Sequence, residues 1–156
     1  MRSNPGLRVI AGLSIVALAS VACGGGSPTA APTAAGPTTV KVTLQEWSVI
    51  PAPASVAAGA VTFEVVNNGP EDIHEFVIIK TDLDPGALPV DSTGSVTEDG
   101  AGMTVVDEIE DIPVGQTQEL SVTLAAGKYV LLCNIYSEDE QESHYKMGMR
   151  VAFEVK

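Results

Sequence analysis

An all-β fold, an antiparallel sandwich or barrel, is what this 156-residue chain predicts, on three observations. Val, Thr and Ile recur in short runs, the composition of strands. Within several runs apolar and polar residues alternate with a period of two. Turn residues separate them, among them Asn68-Gly69 and the "AAG" of Ala125 to Gly127. A hydrophobic content of 45% suits one packed core, and the length suits one domain.

The first 22 residues stand apart from that fold. Arg2 and Arg8 precede the apolar run Val9 to Ala22, the pattern of a secretory signal and shorter than the roughly 20 residues that span a bilayer. The run ends in "ASVAC", which resembles the lipobox of bacterial lipoproteins, with Ser20 where that family usually has Leu. The resemblance implies cleavage before Cys23 and lipid attachment to it. Ordinary signal cleavage and an uncleaved anchor helix are the alternatives. Residues 23–37 are small, uncharged and broken by three prolines, so they cannot bury enough surface to fold and form a tether. As a coil, Gly24 to Pro37 spans roughly 20 Å, and roughly 40 Å in polyproline geometry. The expected location is outside the cytoplasm, at the outer face of a bacterial cytoplasmic membrane or in the periplasm.

From residue 38 to 156 the chain reads as one strand-built domain. "TVKVTLQEW" alternates Val40, Val42 and Leu44 against Lys41, Thr43 and Gln45. "PAPASVAAGA" reads as a loop with a turn at Gly59, "VTFEVVNNG" as a second strand, and "HEFVIIKT" as a third, apolar on both faces and therefore central. Asp82 to Gly102, rich in Asp, Gly, Pro and Ser, reads as an excursion with room for a short helix or strand. "TQELSVTL", "GKYVLLCNI" and "MRVAFEVK" bring the count to at least six strands.

All twenty acidic residues follow the linker, against six Lys and Arg, a surplus of fourteen negative charges. Such a field repels phosphate backbones, so nucleic acid is excluded as a partner, and it favours encounter with basic proteins. Solubility alone is the alternative.

The chemistry-bearing residues are few. Once Cys23 is spent, Cys133 has no partner for an internal disulfide, and a lone thiol in an exported protein calls for a cause. His74 and His144 are the chain's two histidines, and Met147 and Met149 lie beside the second. "GKYVLLC" followed by "HYKMGM" resembles the last hairpin of the cupredoxins, the blue copper proteins such as plastocyanin and azurin. The pattern falls on Gly127, Tyr129, Cys133, His144, Gly148 and Met149, with His74 upstream. That resemblance implies a Greek-key β-sandwich and one copper ion held by His74, Cys133, His144 and Met149. It departs from the family in the ten residues between Cys133 and His144, and in Glu75 where many relatives carry a bracing Asn.

Donor chemistry agrees with the resemblance. Two imidazoles and a thiolate with a weak axial thioether suit copper in both oxidation states. Strand parity places Met149 with Val151, Phe153 and Val155 on an inward face, and His74 with Phe76 and Ile78. Met147, in the loop before Gly148, is the alternative axial donor. Trp47 reads as core packing and Tyr129 as a corner residue whose hydroxyl ties a loop to the sheet. The expected function is electron transfer, with a copper storage or delivery protein and a metal-free binding module as competing readings. An enzyme would need further copper ligands than two histidines and one thiol supply. A monomer is expected. The acidic run Ser137 to Glu142 lies between two of the implied ligands, which suggests a docking patch for a basic redox partner such as a c-type cytochrome, with exchange through an exposed histidine.

Overall fold

The computed structural model describes residues 36–98 and 100–156. The signal, Cys23 and the tether up to residue 35 lie outside the described residues. Two sheets face each other. The first carries β1 (Thr38–Gln45), β2 (Ser48–Ala52), β4 (Gly59–Asn67) and β7 (Thr117–Leu124) in the order β2-β1-β4-β7. The second carries β3 (Ser55–Val56), β5 (His74–Thr81), β6 (Met103–Ile112), β8 (Gly127–Leu132) and β11 (Arg150–Val155) in the order β3-β11-β8-β5-β6. A small ribbon of β9 (Tyr136–Ser137) and β10 (Glu142–Ser143) leads into a single helical turn, α1 (His144–Met147).

Period-two alternation builds the space between the sheets. Val40, Val42 and Leu44 of β1 and Val61, Phe63 and Val65 of β4 meet Phe76 and Ile78 of β5, Leu131 of β8 and Phe153 of β11 in one buried cluster. Phe63 is its hub, with ring centroids 5.3 Å from Phe76 and 5.8 Å from Phe153. Burying each such side chain contributes about 1.5–3 kcal/mol.

β5 and β8 are buried on both faces. Their outward residues Val77, Ile79, Val130 and Leu132 form a second cluster with Leu88 and Val96, from the excursion, and with Tyr145. This explains why "FVII" and "YVLL" do not alternate. The excursion itself contains one isolated bridge, Val90 to Val96, and serves as the cover for this outer face.

Three differences from the sequence reading have physical causes. β2 runs into the segment read as loop and β3 lies within it, because Val49 and Val56 reach the core while prolines sit between them. β6, an edge strand paired only with β5, has an acidic, irregular pattern that hides its period. And the sandwich is mixed: β1 pairs in parallel with β4, and β3 with β11, pairings that no local pattern reveals. The expected Tyr129 tie is present, its hydroxyl donating to the Ala125 carbonyl at 2.8 Å.

Candidate metal centre

At one end of the sandwich three side chains converge. His74 opens β5, and Cys133 follows directly on β8, its neighbour in the sheet. His144 opens α1, whose turn returns the chain to β11. The Nδ1 atoms of His74 and His144 are 3.2 Å apart, and Cys133 Sγ lies 3.4 Å from His144 Nδ1 and 3.9 Å from His74 Nδ1. With metal–nitrogen bonds of about 2.0 Å and metal–sulfur bonds of about 2.3 Å, a planar trigonal site needs edges of about 3.5 and 3.7 Å. The two observed sulfur–nitrogen edges bracket ~3.7 Å and the nitrogen–nitrogen edge is ~0.3 Å short of ~3.5 Å, so the three donors fit one small ion after a slight spreading of the two rings.

All three are enclosed, His74 and Cys133 at 0% exposure and His144 at 1%. Burial, then the neighbouring His144, hold His74 below the ordinary imidazole range, and burial does the same for His144. Both rings are therefore neutral at pH 7, as ligation requires. Burial pushes the Cys133 thiol up to about 12, so a metal must displace its proton. The Glu75 backbone N–H, which donates to Sγ at 3.3 Å, favours the anion.

Of the two methionines, Met149 is fully buried in the core cluster that includes Cys133, and its carbonyl accepts the Cys133 N–H at 3.0 Å. Met147 is 43% exposed on the outer side of α1. The expectation of an exposed histidine is corrected: the Trp47 ring packs edge-on against His144, centroids 5.1 Å apart, and closes it off. His144 still lines a shallow depression of about 300 Å³ with Glu71, Asp72, Ile73, Ile135 and Ser137.

No sequence-family profile matches the chain, and no curated protein does. Solved structures do resemble it. Dithionite-reduced auracyanin from Roseiflexus castenholzii superposes with a TM-score of 0.54 at 20% identity, covering 78% of this chain and 99% of that one. Auracyanin A from Chloroflexus aurantiacus, described as a "blue" copper protein, gives 0.53 at 22%, covering 78% and 100%. An azurin from Methylomonas sp. strain J gives 0.51 at 16%, covering 76% and 98%. The fold is the cupredoxin fold.

Within this cupredoxin fold the loop that carries His144 is held from outside. The Tyr145 hydroxyl donates to the Pro85 carbonyl at 2.7 Å and accepts from the Leu88 N–H at 3.1 Å. Ser143 caps α1 by accepting the Lys146 N–H at 3.2 Å, and donates to the Gly94 carbonyl at 2.8 Å. The Arg150 guanidinium stacks 4.8 Å from the Tyr145 ring centroid and donates to the Tyr145 carbonyl. Gly148 ends the turn at φ +131°, and a Cβ there would sit 3.1 Å from the Trp47 carbonyl oxygen, so this position needs glycine.

Two carboxylates flank the site. Glu75, the residue after His74, accepts the Asn134 N–H at 2.6 Å. Burial, with the charges of Glu98, Glu108 and Glu110, raises it to about 7 against that hydrogen bond. Glu46 faces the far side of His74, its Oε1 3.7 Å from Nε2. Burial works to raise its carboxyl, but backbone N–H donors, led by Asp72, and the His74 ring outweigh burial and lower it. The sequence reading passed over Glu46, although it shares parity with Val40, Val42 and Leu44, a charge on an inward face.

Proposed function

We propose that the protein is a mononuclear copper carrier that shuttles single electrons, with His74, Cys133 and His144 as equatorial ligands and Met149 as the axial thioether. The observation that carries this reading is the buried His74–Cys133–His144 triangle, dimensioned for one ion and made of the donors that suit copper in both oxidation states. When bound, copper supplies the one-electron couple. The chain supplies neutral imidazoles, a thiol whose anion is met by a backbone N–H, and an enclosure of strands and a braced loop that keeps donors still between oxidation states. The fold's neighbours support a carrier more than an enzyme.

The partner we infer is a basic redox protein, met at the membrane face to which Cys23 would tether the domain. Glu138, Asp139 and Glu140 are exposed at the tip of the β9–β10 ribbon. Glu140 and Glu142 also share a depression of about 340 Å³ with Glu46, Trp47, Glu71 and Asp72. This concentrates negative charge around the site's rim, where it steers a cationic protein toward His144.

The copper-loaded protein is expected to show intense thiolate-to-copper absorption and the matching paramagnetic resonance signal, both lost in Cys133→Ser. A colourless wild-type protein under Cu(II) would sink the reading. Reversing Glu138, Asp139 and Glu140 to Lys should slow electron transfer to a basic c-type cytochrome and flatten its salt dependence; an unchanged rate removes the docking role and leaves the carrier.

A further inference from the structure

We propose that Glu46 is a positioning residue for the metal centre: its carboxylate holds the His74 ring proton on Nε2, leaving Nδ1 as a bare donor facing Cys133 and His144. The purpose of this device rests on the copper reading above, while the tautomer it sets belongs to the metal-free protein as well.

The geometry separates the two ring nitrogens. Nδ1 of His74 looks into the triangle, 3.2 Å from His144 Nδ1 and 3.9 Å from Cys133 Sγ. Nε2 looks the other way, toward Glu46 Oε1 at 3.7 Å. The ring is fully enclosed and the Glu46 side chain 11% exposed. Among the described residues, His74 Nε2 and Glu46 Oε2 are the buried side-chain polar atoms that lack a hydrogen-bond partner. One can carry a proton and the other can only accept one. Two unpartnered atoms of opposite need, on adjacent side chains, are complementary. Buried polar atoms left unmet are costly, and a shift of roughly 0.7 Å closes the Nε2–carboxylate pair from 3.7 Å to hydrogen-bond distance.

The carboxylate is fixed from behind. Glu46 Oε1 accepts the backbone N–H of Asp72 at 2.8 Å and of Glu71 at 3.1 Å. Glu46 therefore ties the end of β1 to the loop that delivers His74, and cannot swing away from the ring without breaking two hydrogen bonds. A ligating histidine whose second nitrogen donates to a carboxylate has its tautomer fixed and its basicity raised. The same contact explains the close approach of the two Nδ1 atoms. With the His74 proton on Nε2, His144 donates its own Nδ1 proton to His74 Nδ1 in the metal-free state. Only His144 then has to change tautomer when an ion enters.

A fixed negative charge beside the site also favours the more positive oxidation state of a bound ion. Glu46→Gln removes that charge and keeps an oxygen for the Glu71 and Asp72 amides, so it isolates the electrostatic part.

The experiment is nitrogen-15 NMR of the imidazole rings in the metal-free full-length chain, wild type against Glu46→Gln, followed by potentiometry of both after copper loading. The expected wild-type spectrum has His74 protonated at Nε2 and His144 at Nδ1. In Glu46→Gln the His74 preference should fall by about tenfold. The ratio of Cu(II) to Cu(I) affinity should fall by about tenfold too, a rise in potential of ~59 mV for one electron. A wild-type His74 protonated at Nδ1 overturns the proposal, and this measurement needs no variant to fold. A blue Glu46→Gln protein with unchanged tautomer and potential also overturns it while leaving the copper reading intact. The expected tautomer shift in a protein that never turns blue supports the role of Glu46 and removes the copper reading instead.

Discussion

His74 and Cys133 sit at the ends of two neighbouring strands, β5 and β8, each buried on both faces, whereas His144 and Met149 ride on one helical turn and the residues that close it. The strand-borne half inherits its position from the core. The loop-borne half is set by a handful of side-chain hydrogen bonds to the excursion of residues 82–102, which reach it through Tyr145 and Ser143. Damage to the first half should therefore act on global stability, and damage to the second on how firmly the site would hold an ion.

The largest expected effect tests the strand side. Phe76→Ala empties a fully buried position two residues after His74 and should cost about 3–5 kcal/mol in urea unfolding of the metal-free protein. Metal binding should be lost only together with the fold. If Phe76→Ala kept its stability and lost its ion, the strand half would not be governed by the core.

Next comes a pH experiment on the same half. Glu75 titrates near 4.5 in the unfolded chain and is raised to about 7 in the fold, so between these values the folded protein holds a proton that the unfolded chain has released. Stability drawn from Glu75 is thus full below about pH 4.5 and declines as pH rises toward 7. Glu75→Gln, measured metal-free against wild type, should show no advantage at pH 4 and a gain of up to about 3 kcal/mol at pH 8. A gain that is flat with pH would mean that the carboxyl is not ionising in this environment.

The smallest effect tests the loop side. Tyr145→Phe removes the hydroxyl bridging Pro85 and Leu88 and should cost about 1–3 kcal/mol. It should also speed copper loss to a chelator more than Phe76→Ala does in the fraction that remains folded. Equal off-rates in the two variants would erase the distinction between the halves.

Much of this was legible in the chain. Alternation in "TVKVTL" and "VTFEVV" places the inward faces of β1 and β4, and the unbroken apolar runs of β5 and β8 mark them as covered on both sides. Parity alone turns His74 and Met149 inward, because side chains in a strand alternate whatever lies around them. Residue type alone makes Cys133 and the two histidines a donor set. What local pattern cannot contain is which strands become neighbours: the parallel pairing of β1 with β4, the edge position of β6, and the folding of an irregular excursion over the outer face of β5 and β8 depend on contacts between residues far apart in the chain. Glu46 shows the limit most plainly. Its parity marks it as a charge facing inward, but only the tertiary structure sets His74 in front of it, since an electrostatic partner is chosen by distance in space and leaves no period in the sequence.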